Sequence, residues 1–151
     1  MNTSGNSIEK IDTKVLFSAL WIFLAVNYIY RDILSNMEPG NLQGYLAGKV
    51  GEITITQGFL LAGALMMEIP FAMIFLSRVL KGSVNRWVNI IAAILMVVIE
   101  VGTMGMGTTP TLHYLFYSVI VIVCNLFIVW YAWKWRSPEG QPERVFFAQA
   151  K

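Results

Sequence analysis

Glu68 and Glu100 sit inside apolar runs long enough to cross a bilayer, and Arg31 and Asp32 lie side by side in a third such run. An ionisable side chain at that depth is costly to bury and normally faces a cavity or a partner, so chemistry is sought here first. Carboxylates with a guanidinium among them suit proton coupling, cation binding or a charge-balanced ligand site. If all are ionised, Asp32, Glu68 and Glu100 outweigh Arg31, so either a carboxyl keeps its proton or a cation occupies the site. Adjacent helical residues point in different directions, which gives Arg31 and Asp32 different partners and makes Glu100 or Glu68 the expected partner of Arg31.

Other polar side chains extend the candidate site. Counted at 1.5 Å per residue, Asn27, Glu68, Glu100 and Asn125 fall within roughly 5 Å of the membrane midplane, one from each of four runs. Helical spacing puts Gln57, Leu61, Ala64, Glu68 and Phe75 on one line, and Asn89, Ala93, Met96, Glu100 and Thr103 on another. A further line carries Tyr114, Tyr117, Val121 and Asn125. Turned inward, such lines enclose a narrow polar cleft with Tyr28, Gln57, Tyr114 and Tyr117 as lining. Structural roles compete with this reading. Arg31 can snorkel to an interface, Asn27 and Asn125 can act as interhelical hydrogen bonds, and a buried ion pair can fix packing without doing chemistry.

The elements that must position these residues are four long apolar helices. Hydrophobic residues make up 56% of the 151-residue chain and charged residues only 13%, about half the charged fraction of a soluble domain. The runs cover about 15–37, 54–80, 87–107 and 112–135, each near the ~20 residues that cross a hydrocarbon core of ~30 Å. Glu38, Pro39 and Gly40 stop the first run, because proline disfavours helix in the residue before it. The glycine-rich segment 41–52 fits a short interfacial helix or a lid. Pro70, within the second run, predicts a kink beside Glu68. The hinge Thr108-Thr109-Pro110 makes the last two helices antiparallel neighbours, with Thr109 as N-cap and Pro110 at the first helical position.

The expected fold is therefore all-α: an integral membrane four-helix bundle, up-down-up-down, spanning residues 15–136 between an N-terminal segment, 1–14, and a tail, 137–151. Lys10, Lys14, Arg78, Lys81, Arg86, Lys134, Arg136, Arg144 and Lys151 all fall on one side of this arrangement, and only Lys49 falls in a loop on the other. By the positive-inside rule both termini are cytoplasmic. Trp87, Trp130, Trp133 and Trp135 gather at the same face as an aromatic belt. The first run reads as a retained anchor and not as a removed signal peptide.

Several classes drop out. A formal charge of +2, spread over short loops, gives no basic face for nucleic acid. One cysteine, Cys124, and one histidine, His113, supply no disulfide framework, redox pair or multi-residue metal site. No nucleophile–base pair or nucleotide-binding loop is present, so no catalytic residue, metal or cofactor is assigned.

The segments Asn27-Tyr-Ile-Tyr-Arg-Asp32, Met67-Glu-Ile-Pro-Phe-Ala-Met-Ile-Phe-Leu-Ser-Arg78, Asn85-Arg-Trp-Val-Asn-Ile90 and Ile128-Val-Trp-Tyr-Ala-Trp-Lys-Trp135 resemble a family of small bacterial four-span membrane proteins of unknown function. The resemblance covers about residues 11–136 and implies topology and the bacterial cytoplasmic (inner) membrane, with no activity attached. More loosely the chain is similar to DoxX-like four-helix proteins. In size it also resembles the small multidrug resistance transporters, but departs from them in carrying Arg31 and Asp32, not an essential glutamate, in the first helix.

The leading expectation is a proton-coupled or cation-responsive transporter or permease. Glu68 and Glu100 would be its binding carboxylates, with Arg31, Asp32, Asn27 and Asn125 completing the site; four short helices rarely enclose a full pathway, so this reading implies a homodimer or larger assembly. The alternative is a non-catalytic accessory subunit, or one that binds a lipid or small hydrophobic molecule. A membrane enzyme acting on a lipid or quinone comes third.

Overall fold

A computed structural model describes residues 12–104 and 110–135. Helix α1 covers Thr13–Met37 and α2 covers Pro39–Leu46; β1, Lys49–Val50, pairs with β2, Ile53–Thr54; then follow α3, Gln57–Val79, α4, Gly82–Thr103, and α5, Leu112–Lys134. All four long helices are long and apolar enough to cross a membrane, so the expected all-α four-span bundle is the observed architecture.

Local chemistry explains the boundaries. The Asp12 side chain accepts the Lys14 amide at 2.9 Å and caps α1, satisfying a donor the first turn leaves free. Glu38 takes the extended conformation required before Pro39 and separates α1 from α2. Thr56 caps α3 by accepting the Phe59 amide at 3.1 Å. Helix α3 continues through Pro70. Helix α4 begins at Gly82, ahead of the expected Trp87, and stops at Thr103. Thr111, and not Thr109, is the N-cap of α5, so Pro110 precedes the helix instead of opening it.

The segment after α1 is only partly the expected short helix. Gly48 and Gly51 adopt positive φ, 73° and 57°, which releases the chain from α2 into a hairpin pairing Lys49 with Thr54 and Val50 with Ile53. Strands this short leave no alternating pattern to read. A Cβ on Gly44 would come within 3.1 Å of the Lys49 carbonyl oxygen, so the glycine lets α2 pack onto β1.

Around the bundle the order is α3, α1, α5, α4, every neighbour antiparallel; α1 packs extensively on α3 and α4 on α5, whereas α3 and α4 touch little. The core is a heptad-like stripe from each long helix: Phe17, Trp21, Leu24 and Tyr28 on α1, Met73 on α3, Ala93 and Met96 on α4, Val121, Ile128 and Ala132 on α5. The opposite faces expose Ile22, Phe23, Val26, Val98, Val119 and Val123, as helices bathed in lipid require. At the end carrying the Lys81 connection, Trp87 and Trp133 meet edge to face at 6.3 Å and the Arg86 guanidinium lies over both rings. Lys10, Arg136, Arg144, Lys151, Thr108, Thr109 and the tail 137–151 lie outside the described residues.

Candidate functional site

Two buried polar layers divide the bundle. Near the Lys81 connection, Asn89 Oδ1 accepts from Trp21 Nε1 at 2.7 Å and from Ser77 Oγ at 3.2 Å. Its Nδ2 donates to the Asn85 carbonyl at 2.8 Å and to Asn85 Oδ1 at 2.7 Å. Asn85 Nδ2 in turn donates to the Ser77 carbonyl at 2.8 Å. Asn85, Asn89 and Ser77 are fully buried, and a network so well satisfied clamps α1, α3 and α4 together instead of waiting for a ligand.

The second layer lies toward the α2 end. Arg31 Nη1 donates to Glu100 Oε1 at 2.5 Å, and Ser118 Oγ donates to the same oxygen at 2.6 Å. Glu100 is 2% exposed and Arg31 8%. Coupled donors of this kind are what a carboxylate needs when removed from water. The Arg31 guanidinium also lies 4.7 Å from the Tyr114 ring centroid and 5.4 Å from that of Tyr28, within cation–π range on both. Asn125 Nδ2 donates to the Tyr28 hydroxyl at 3.2 Å, tying α5 to α1.

This layer floors a cavity of about 530 Å³, open on one side. Its polar wall is Arg31, Asp32, Glu100 and Tyr114, with Ser35, Glu38 and Asn41 towards the mouth. Met66, Met67, Met96, Ile99 and Phe59 make the apolar walls, and Tyr45, Val50 and Ile53 roof it from α2 and the hairpin. The space exists because the second half of α3 is held, by Ser18 Oγ donating to the Ile74 carbonyl and by Ser77 against Asn85 and Asn89, while its first half, from Gln57 to Met66, stands exposed. Burial, then the nearby charges of Asp32 and Glu38, push the Tyr45 phenol pKa up, so the hydroxyl at the roof keeps its proton.

Of the residues expected to form the site, Arg31, Asp32, Glu100, Tyr28 and Tyr114 converge on the cavity, with Asn125 directly behind Tyr28. Four do not. Glu68 is exposed on the outer face of α3 and lines no part of the cavity, which removes it from the expected pair with Glu100. Gln57 shares that outer face. Asn27 turns back on its own helix, donating to the Phe23 carbonyl at 2.7 Å. Tyr117 packs against Tyr30 and Phe116 away from the cavity. The polar residues of the expected α3 line, Gln57 and Glu68, lie on its outer side, and the face turned to the cavity carries small and sulfur-containing side chains, Ala62, Gly63, Met66 and Met67. On so uniformly apolar a helix polarity does not mark the inner side.

Two contributors escape the sequence reading. Ser118 follows Tyr114 by one helical turn and is the second donor to Glu100, and Ser77 completes the Asn85–Asn89 layer. The signal for Ser118 was its heptad spacing to Asn125.

Among the described residues no three His, Cys, Asp or Glu side chains gather as a metal site. The sequence profile of a family described as a family of unknown function (DUF6326) matches residues 8–141. No curated protein and no solved structure matches the chain, DoxX-like proteins included.

Proposed function

Because this chain belongs to that family of unknown function, DUF6326, which brings no activity with it, we propose from geometry alone that it is a multi-pass membrane protein that binds a small amphiphilic molecule. The observation that carries the reading is the 530 Å³ cavity with apolar walls and a polar floor. Ligand pockets of roughly 300–1,000 Å³ have this makeup, a hydrophobic lining with a few placed polar groups. In this reading the ligand's apolar body lies against Met66, Met67, Met96 and Phe59, and its head meets Asp32, Tyr114 and the Arg31–Glu100 pair.

Displacement of an environment-sensitive fluorescent amphiphile from the protein in lipid nanodiscs tests this. Saturable binding that disappears in Gly63→Trp supports the site; binding equal to that of empty discs refutes it.

A second reading, proton-coupled or cation-responsive transport, draws on Asp32. Its side chain is 57% exposed and faces the cavity, so it takes the titrating role expected of Glu68. Four helices leave the cavity open on one side, so transport would call for a homodimer to complete the pathway. In both readings we place the termini and the Lys81 connection in the cytoplasm, with segment 1–14 and tail 137–151 on that side of a bacterial inner membrane. The distribution of Lys14, Arg78, Lys81, Arg86 and Lys134 supports this.

A further inference from the structure

The cavity's charges do not balance. Among the described residues three carboxylates line it, Asp32, Glu38 and Glu100, against one guanidinium, Arg31. Their states differ. Glu100 is held by Arg31 and Ser118, and Glu38 Oε2 accepts from Asn41 Nδ2 at 2.7 Å. Asp32 is the loosely held one: its Oδ1 lies 3.6 Å from Arg31 Nε, beyond hydrogen-bond length, and that Nε has no hydrogen-bond partner.

The guanidinium's charge is meanwhile matched by Glu100. Glu100 takes Nη1, and the Tyr28 and Tyr114 rings lie over its plane. An anionic head would have to share the single Arg31 charge with Glu100 and approach the Asp32 carboxylate, which repels it. A cationic head faces no such cost, because Asp32 is exposed to the cavity and its ion pair with Arg31 Nε is a long one, 3.6 Å. In a space walled by methionine and aromatic side chains, the field of that carboxylate is screened less than in water. Polarizable thioethers and aromatic faces are also good surroundings for a diffuse positive charge.

Resting on the amphiphile-binding reading above, we infer that the ligand is a lipophilic organic cation whose charged centre sits against Asp32. Arg31 and Glu100 then act as a neutral floor and not as the ligand's charge partners.

The test compares probes of one shape and different charge on the full chain in phosphatidylcholine nanodiscs, with empty discs as the blank. Tetraphenylphosphonium, tetraphenylborate and neutral triphenylphosphine oxide are titrated calorimetrically. Saturable binding of tetraphenylphosphonium alone, weakened about tenfold or more in Asp32→Asn, is expected. Tetraphenylborate or the phosphine oxide binding as tightly as the cation, or an unchanged affinity in Asp32→Asn, overturns the cationic assignment and leaves the amphiphile site standing. Failure of all three to bind overturns both. The comparison among probes uses the unmodified chain, so it decides the charge preference even if Asp32→Asn folds poorly.

Discussion

Arg31 Nη1 and Glu100 Oε1 lie 2.5 Å apart in the interior of the bundle toward its α2 end, joining α1 to α4 across a separation of 69 residues. These two helices are not flank neighbours in the ring α3, α1, α5, α4, so the pair acts as a strut beneath the cavity. Truncating either partner strands a buried charge, which costs about 3–5 kcal/mol. Arg31→Met and Glu100→Leu should each lower the unfolding midpoint in detergent strongly, while the double substitution recovers most of the loss. Additive losses would show that the two side chains are not coupled.

Ser118→Ala removes the second donor to the same carboxylate oxygen, at 2.6 Å. A hydrogen bond to a charged group contributes about 1.5–3 kcal/mol, so the substitution should destabilise by that amount. In a background already carrying Glu100→Leu it should have little effect, and unfolding measured in the two backgrounds checks the difference.

At the other end, Asn89 takes part in hydrogen bonds with Trp21, Ser77 and Asn85. Two of these bonds, with Trp21 and Ser77, join helices; at about 0.6 kcal/mol for each interhelical bond, Asn89→Leu should cost about 1 kcal/mol. Amphiphile binding by the folded fraction should survive, because this layer positions α3 without lining the cavity. Loss of binding at full folding would make the layer part of the site.

Gly63 lines the cavity and has open space around the position of a Cβ. Gly63→Ala should therefore stabilise α3 by about 0.5–1 kcal/mol through the lower conformational freedom of alanine. Gly63→Trp should fold and fill the cavity, removing ligand binding. A tryptophan variant that binds normally would place the ligand elsewhere.

Glu68 stands on the exposed side of α3, away from the cavity. Glu68→Gln should leave probe affinity unchanged, whereas Asp32→Asn should weaken it. If flux of a cationic probe is followed in liposomes, the pH-dependent part should go with Asp32. The reverse ranking of these two variants would restore the carboxylate pair read from the sequence.

What the sequence made legible follows from how strongly each property is patterned. Four apolar runs fix the number of helices, because a membrane span demands length and continuous hydrophobicity. The partnership of Arg31 was narrowed to two glutamates, and the stripe through Asn89, Ala93, Met96 and Glu100 points inward as read; all four are buried. Helix α4 allows this because its inner face is polar and small while its outer face carries Ile91, Ile94, Leu95 and Val98. Helix α3 gives no such contrast. Its inner face was hidden among Ala62, Gly63, Met66 and Met67, and its few polar residues misled. The hairpin was equally unreadable, since two residues per strand leave Gly48 and Gly51 as the only trace.

The central claim is that the space above Arg31 and Glu100 is a ligand site. The most direct measurement is a crystal structure of the protein soaked in turn with brominated cationic, neutral and anionic amphiphiles, read by bromine anomalous scattering. A bromine peak between Met66, Met96 and Tyr114, strongest with the cationic compound, is the predicted result. A cavity closed by α3 collapsing onto α4, with bromine only on the outer lipid-facing surface for every compound, would contradict it.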